Sequence, residues 1–209
     1  MDGNRLYFLI GDVSGKGVPA SLFMAITRSL FRTLSQQVLS PAKIVTDMNN
    51  SISDNNESNM FVTLIVGILD LETGKLKLCN AGHNPPILIR PDGQVSFLEF
   101  KTQIFVGVIE EFAYTEDETT LEKGSKLFLY TDGVTEAENT EKELYGDEKL
   151  LKTLSDNNTS DVRTTVNGIE DSVADHVKEA EASDDLTILL IQYEPGQQTI
   201  KHISLWKEK

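Results

Sequence analysis

The sequence predicts an α+β domain with antiparallel strands at its centre and helices in pairs before and after them. Candidate strand segments at 61–70 and 75–80, at 87–90 and 94–100, and at 116–121 and 125–131 are separated by short turn signals. Such spacing makes hairpins and leaves no room for the crossover that a parallel pair needs. Helical periodicity falls on either side of this stretch, not inside it, which argues against βαβ alternation.

In chain order, Leu6-Tyr7-Phe8-Leu9-Ile10 reads as a buried strand running into Gly11-Asp12. Residues 11–17 form a glycine-rich loop, and Pro19 suits the first turn of the helix that follows. Leu22, Ile26, Leu30 and Leu34 recur at every fourth position and predict that helix's buried face. Ser40 is the expected N-cap of a second helix, with Ile44, Val45, Met48 and Ile52 turned inward. The hairpin turns are Leu71-Glu72-Thr73-Gly74, Pro91-Asp92-Gly93 and Glu122-Lys123-Gly124. Residues 146–157 and 161–180 read as helices, and Leu186-Thr187-Ile188-Leu189-Leu190-Ile191 as the last strand. Periodicity then fades. Residues 1–193 read as one domain and 194–209 as a linker or C-terminal extension.

The 209 residues suffice for one domain with a substantial core. A net charge of −14 argues against a nucleic-acid partner and against docking on anionic membrane. No apolar run of about 20 residues exists to span a bilayer. Met1-Asp2-Gly3-Asn4-Arg5 lacks the shape of a signal peptide. The lone Cys79 excludes an internal disulfide framework and fits a reducing, cytoplasmic setting. Its alternating surroundings, Leu76-Lys77-Leu78-Cys79, predict a packed core thiol.

Three apolar runs begin or end in acid: Gly11-Asp12, Thr131-Asp132-Gly133 and Ser183-Asp184-Asp185. Strand ends are rigid, so carboxylates remote in sequence can converge there. Converging carboxylates repel and need a cation, and hard oxygen donors suit Mg²⁺ or Mn²⁺ rather than Zn²⁺. Ordinary turn chemistry competes with this reading at each segment. Gly11-Asp12-Val13-Ser14-Gly15-Lys16-Gly17 is not a P-loop: three residues, not four, precede Gly-Lys, and Gly17 stands where Ser or Thr belongs. Lys16 is either a phosphate contact or a solvated loop lysine. His83, between Gly82 and Asn84-Pro85-Pro86, reads more readily as a turn residue than as a ligand. The acidic stretches at 110–111, 116–118 and 136–143 read as solvated faces and loops. Ser14 and Ser21 have no paired His and Asp.

Four phrases occur in order: Gly11-Asp12-Val13-Ser14-Gly15-Lys16-Gly17, Asn80-Ala81-Gly82-His83-Asn84-Pro85-Pro86, Leu129-Tyr130-Thr131-Asp132-Gly133-Val134-Thr135-Glu136 and Ser183-Asp184-Asp185-Leu186-Thr187. Together they resemble the bacterial PP2C-like (PPM) serine/threonine phosphatases of the SpoIIE/RsbU type, from the first strand to about Tyr193. The resemblance implies a four-layer αββα sandwich, two antiparallel sheets flanked by helices, with two Mn²⁺ or Mg²⁺ ions. It implies metal binding by the Asp12 side chain, the Val13 carbonyl, Asp132 and Asp184, with Asp185 as the alternative in that doublet. It further implies a phosphorylated STAS-like anti-anti-sigma protein as substrate, partner switching that controls sigma factors, and an upstream sensor in the parent chain.

The resembling family carries a further metal-binding Asp on a strand upstream of Gly11-Asp12, and Asp2 does not replace it. The chain therefore reads as N-terminally truncated, weak or inactive by itself, with a sheet edge at 5–10 open to self-association. A catalytically inactive regulatory module that binds a protein partner is the competing reading.

Overall fold

The computed structural model describes residues 4–54, 56, 59–159, 161–180 and 184–195, and the backbone of 202–205. Asp2, Ser183 and most of the C-terminal segment lie outside the described residues. The α+β class is as expected: two antiparallel sheets and four helices. The chain divides into two compact units, Met1–His83 with Glu99–Leu121, and Asn84–Leu98 with Glu122–Lys209.

The first unit contains β1 (Arg5–Val13), α1 (Val18–Leu34), α2 (Pro41–Ser53), β2 (Val62–Asp70) and β3 (Lys75–Ala81). A later strand, Asp117–Thr120, completes its sheet; between β3 and that strand the chain forms β4 (Ile87–Ile89) and β5 (Val95–Phe97) of the second unit, so it is β6. The order is β1-β2-β3-β6. β1 runs through Gly11 and Asp12 to Val13, further than the apolar run predicts, because each of these residues pairs with β2. It is the outer strand of this sheet, with β2 its one neighbour among the described residues.

α2 buries Ile44, Val45, Met48 and Ile52 against Val62, Leu64, Val66 and Ile68, one face of β2. Ser40 caps it by accepting the Lys43 N–H. The expected face of α1 needs correction. Leu22 and Ile26 are 61% and 54% exposed, while Ala20, Phe23, Met24, Leu30, Phe31 and Leu34 pack on the core. A row of i, i+4 residues drifts about 40° around the helix per step, so its two ends cannot share one face over three turns.

The second unit contains β4, β5, β7 (Lys126–Tyr130), α3 (Gly146–Asp156), α4 (Val162–Val177), β8 (Thr187–Gln192) and β9 (His202–Leu205), in the sheet order β5-β4-β7-β8-β9. Ile87, Ile89, Phe128, Tyr130, Ile188 and Leu190 meet Leu150, Leu154, Val166, Ile169 and Val173 of the helices in one core. β9 lies in the stretch read from sequence as linker and pairs with β8.

The hairpins β2–β3 and β4–β5 form as expected. The third does not. The turn is present, Ser125 N–H donating to the Glu122 carbonyl, but β6 pairs with β3 and β7 with β4 and β8. A turn signal reports local reversal only; the partners on either side belong to different sheets.

Candidate metal centre

In the second unit, β7 runs out into Thr131-Asp132-Gly133 beside the start of β8. The Thr131 N–H donates to the Thr187 carbonyl (3.1 Å) and extends the ladder by one residue. The Thr131 hydroxyl accepts the Thr187 N–H (3.1 Å) and donates to the Asp185 carbonyl (3.2 Å), tying the two strand ends together. Gly133 is required by close approach, since a Cβ there would stand 2.4 Å from the Asp185 carbonyl oxygen. The chain then curls, with Glu136 N–H donating to the Asp132 carbonyl (2.7 Å).

These contacts set Asp132 beside Asp184, with a carboxylate oxygen of each within 4.8 Å of the other. Oδ1 of Asp132 is buried and has no hydrogen-bond partner among the described residues. Asp184 is exposed and its Oδ1 accepts the Asp185 N–H (2.8 Å). Repulsion at this separation is on the order of 1 kcal/mol in a water-like medium and larger where solvent is excluded. A buried carboxylate oxygen with no donor, next to a second carboxylate, fits a hard divalent cation such as Mg²⁺ or Mn²⁺. Asp185 turns its backbone carbonyl to Thr131.

In the first unit, Asp12 stands directly opposite Thr63 of β2, one residue before the end of β1. Val13 pairs with Val62 and is buried in the core. Ser14 ties down the loop: its N–H donates to the Phe61 carbonyl and its Oγ accepts the Phe61 N–H, both at 2.9 Å. Lys16 is exposed in the loop before α1. His83 follows the Gly82 turn and is buried, and its Nδ1 lies 2.9 Å from Thr63 Oγ1.

Sequence reasoning passed over Thr63, Thr131 and Gly133 as participants. Thr131 and Gly133 flank Asp132 in sequence, yet their task depends on Asp185, 54 residues from Thr131. Reading 116–118 as a solvated face holds for Glu118 but needs correction at Glu116 and Asp117. Glu116 accepts from Ser40 Oγ (2.6 Å), Ala42 N–H (3.2 Å) and Lys77 Nζ (2.9 Å), and Asp117 accepts the Lys101 N–H (2.7 Å). Burial acts to raise the Glu116 pKa, but these donors outweigh it and hold the carboxylate below its usual range. Cys79 is the packed thiol expected, with burial pushing its pKa up to about 12.

Comparison with known proteins gives a consistent result. The family model described as Stage II sporulation protein E (SpoIIE) matches residues 2–194. The chain is 29% identical to Protein IcfG of Synechocystis sp., over 89% of this chain and 33% of that protein. It is 26% identical to Phosphoserine phosphatase RsbU of Bacillus subtilis, over 91% of this chain and 56% of that protein. It thus spans about half or less of the length of these curated relatives. Among solved structures, the PP2C phosphatase domain of SpoIIE from Bacillus subtilis, solved with a fragment of its regulatory domain, aligns with a TM-score of 0.79. That match has 20% identity over 92% of this chain and 56% of the other. The catalytic domain of the serine threonine protein phosphatase PstP, in complex with two manganese ions, aligns with a TM-score of 0.63 and 14% identity, over 90% of this chain and 89% of the other. These likenesses show the fold, and the family match extends over nearly the whole chain. The chain belongs to the Stage II sporulation protein E (SpoIIE) family and has the fold of the PP2C phosphatase domains it aligns with.

Proposed function

We propose that this chain is the metal-dependent phosphatase domain of a protein serine/threonine phosphatase that dephosphorylates a STAS-like anti-anti-sigma protein in cytoplasmic partner-switching signalling. The observation that carries the reading is the Asp132–Asp184 pair, with the buried, unpartnered Oδ1 of Asp132, in a chain of this family. The proposed ligands of two Mn²⁺ or Mg²⁺ ions are Asp12, the Val13 carbonyl, Asp132 and Asp184, with Asp185 as the alternative to Asp184. Ions held by these residues would lower the pKa of water to supply hydroxide and would offset charge on phosphoryl oxygens. The protein's own part is to hold its carboxylates on strand ends braced by Thr131 and Gly133. Lys16 is proposed to meet the phosphate, its exposed loop position leaving it free to reach a protein-bound group. An upstream sensor in the parent chain is the proposed source of control.

The deciding experiment is phosphate release from a phosphoserine STAS-like protein and from an aryl phosphate, with Mn²⁺ and with chelator. Mn²⁺-dependent release, lost in Asp132→Asn and Asp184→Asn, is the expected result, with low turnover by the 209-residue chain. Binding of the phosphoprotein with no release under any metal condition would favour the inactive regulatory module instead.

A further inference from the structure

Asn80-Ala81-Gly82-His83 has no part in the ligand set, yet it is built with care. The Asn80 side chain is buried and fully engaged: Oδ1 accepts the His83 N–H (2.8 Å) and Nδ2 donates to the His83 carbonyl (3.0 Å). Gly82 has φ +76, and a Cβ there would lie 2.0 Å from the Phe105 ring, so the turn admits no other residue without displacement. The outcome is a His83 that is only 4% exposed and fixed at its backbone.

That ring aims Nδ1 at Thr63 Oγ1, 2.9 Å away, and Thr63 Oγ1 lies 3.4 Å from the Asp12 carbonyl oxygen. Thr63 and Asp12 are cross-strand partners, so their side chains share one face of the sheet. A hydroxyl has a single proton. If Thr63 spends it on the Asp12 carbonyl, its oxygen must accept from His83, which assigns the proton to Nδ1. The order of donation is then His83 Nδ1–H to Thr63, and Thr63 O–H to Asp12.

We propose that His83, acting through Thr63, is a positioning residue that fixes the Asp12 peptide. The proposal rests on the reading of Asp12 as a metal ligand and adds a support behind it that the ligand set does not include. Hydrogen bonds behind a ligand orient it, and their loss typically costs about 10–100-fold in metal affinity.

The test uses the 209-residue chain with Thr63→Val, His83→Leu and His83→Asn, and has two readouts. Thr63→Val keeps the β-branched shape and removes only the hydroxyl; His83→Asn retains an N–H donor near the place of Nδ1. In metal-free protein, the ¹³C resonance of the Asp12 carbonyl should move in Thr63→Val and His83→Leu and stay near the parent position in His83→Asn. In Mn²⁺ titrations followed by EPR, the first two variants should lose about tenfold in affinity and the third should stay close to the parent. ¹⁵N spectra should show His83 protonated at Nδ1. An unmoved carbonyl, or a bare Nδ1, overturns the relay whether or not metal binds. A moved carbonyl with unchanged Mn²⁺ affinity overturns the positioning role. Asp132→Asn separates the two levels: if it binds Mn²⁺ as the parent does, the metal reading itself falls, while the carbonyl resonance still judges the relay.

Discussion

Asp132 stores an electrostatic cost in the metal-free protein. Its buried Oδ1 has no donor among the described residues, and a carboxylate oxygen of Asp184 lies within 4.8 Å of its own carboxylate. Removing one charge relieves the repulsion and turns an acceptor-only group into one that can donate. Asp132→Asn should therefore raise the metal-free Tm by about 2–4 °C, the equivalent of about 1 kcal/mol in a chain of this size. The parent's Tm should rise further with Mn²⁺, by mass action, and the variant's should not. A drop in the metal-free Tm would show that Asp132 is a structural acceptor and not a site held ready for a cation. Thermal melts with and without Mn²⁺ read both effects.

At the scale of elements, α1 and α2 carry opposite lessons. Leu22 and Ile26 of α1 are exposed while Phe23 packs on the core. Phe23→Ala should cost about 2–3 kcal/mol in urea unfolding, and Leu22→Ala or Ile26→Ala within about 0.5 kcal/mol. Equal losses would place the α1 face where the four-residue row puts it. α2 depends on a residue outside itself. Glu116 meets its N-terminal Ser40 and Ala42 while Lys77 of β3 holds the other carboxylate oxygen. The folded-state pKa of Glu116 lies below the ordinary 4.5, so its contribution to stability is present above that value. It is lost as pH falls through the lower, folded-state pKa. Glu116→Gln should lower stability by about 1 kcal/mol at neutral pH and flatten the acid limb of the pH–stability curve. An unchanged acid limb would mean that Glu116 is not the group that titrates there.

At the scale of the molecule, neither compact unit is continuous in sequence. The second takes β4 and β5 from Asn84–Leu98, far from the rest of its chain, and β4 is the strand beside β7. Residues 122–209 alone would lose Ile87 and Ile89, both fully buried, at about 1.5–3 kcal/mol each, and would bare one edge of β7. Against a typical total stability of about 5–15 kcal/mol, that is a large share. The isolated 122–209 segment should give collapsed amide dispersion in its ¹H–¹⁵N spectrum. A dispersed spectrum would show that the α3–α4 core suffices without β4. In the first unit, the outer position of β1 keeps self-association through that edge open to measurement by sedimentation over a range of concentrations.

The sequence by itself determined the α+β class, α2 with its cap and buried face, the hairpins β2–β3 and β4–β5, and the acids worth watching. Each is written in residues a few positions apart, where periodicity and turn chemistry act directly. It also carried the family resemblance, because four ordered phrases survive in one chain. Only the tertiary structure decided that β6 and β7 part into different sheets and which side of α1 is buried. It alone decided that Glu116 serves α2 across 76 residues and that Thr63 stands between His83 and Asp12. The physical reason is range. A local pattern specifies what a segment can bury and how it turns, whereas the partner that satisfies a given carboxylate, hydroxyl or strand edge is chosen by long-range register, which no local window contains.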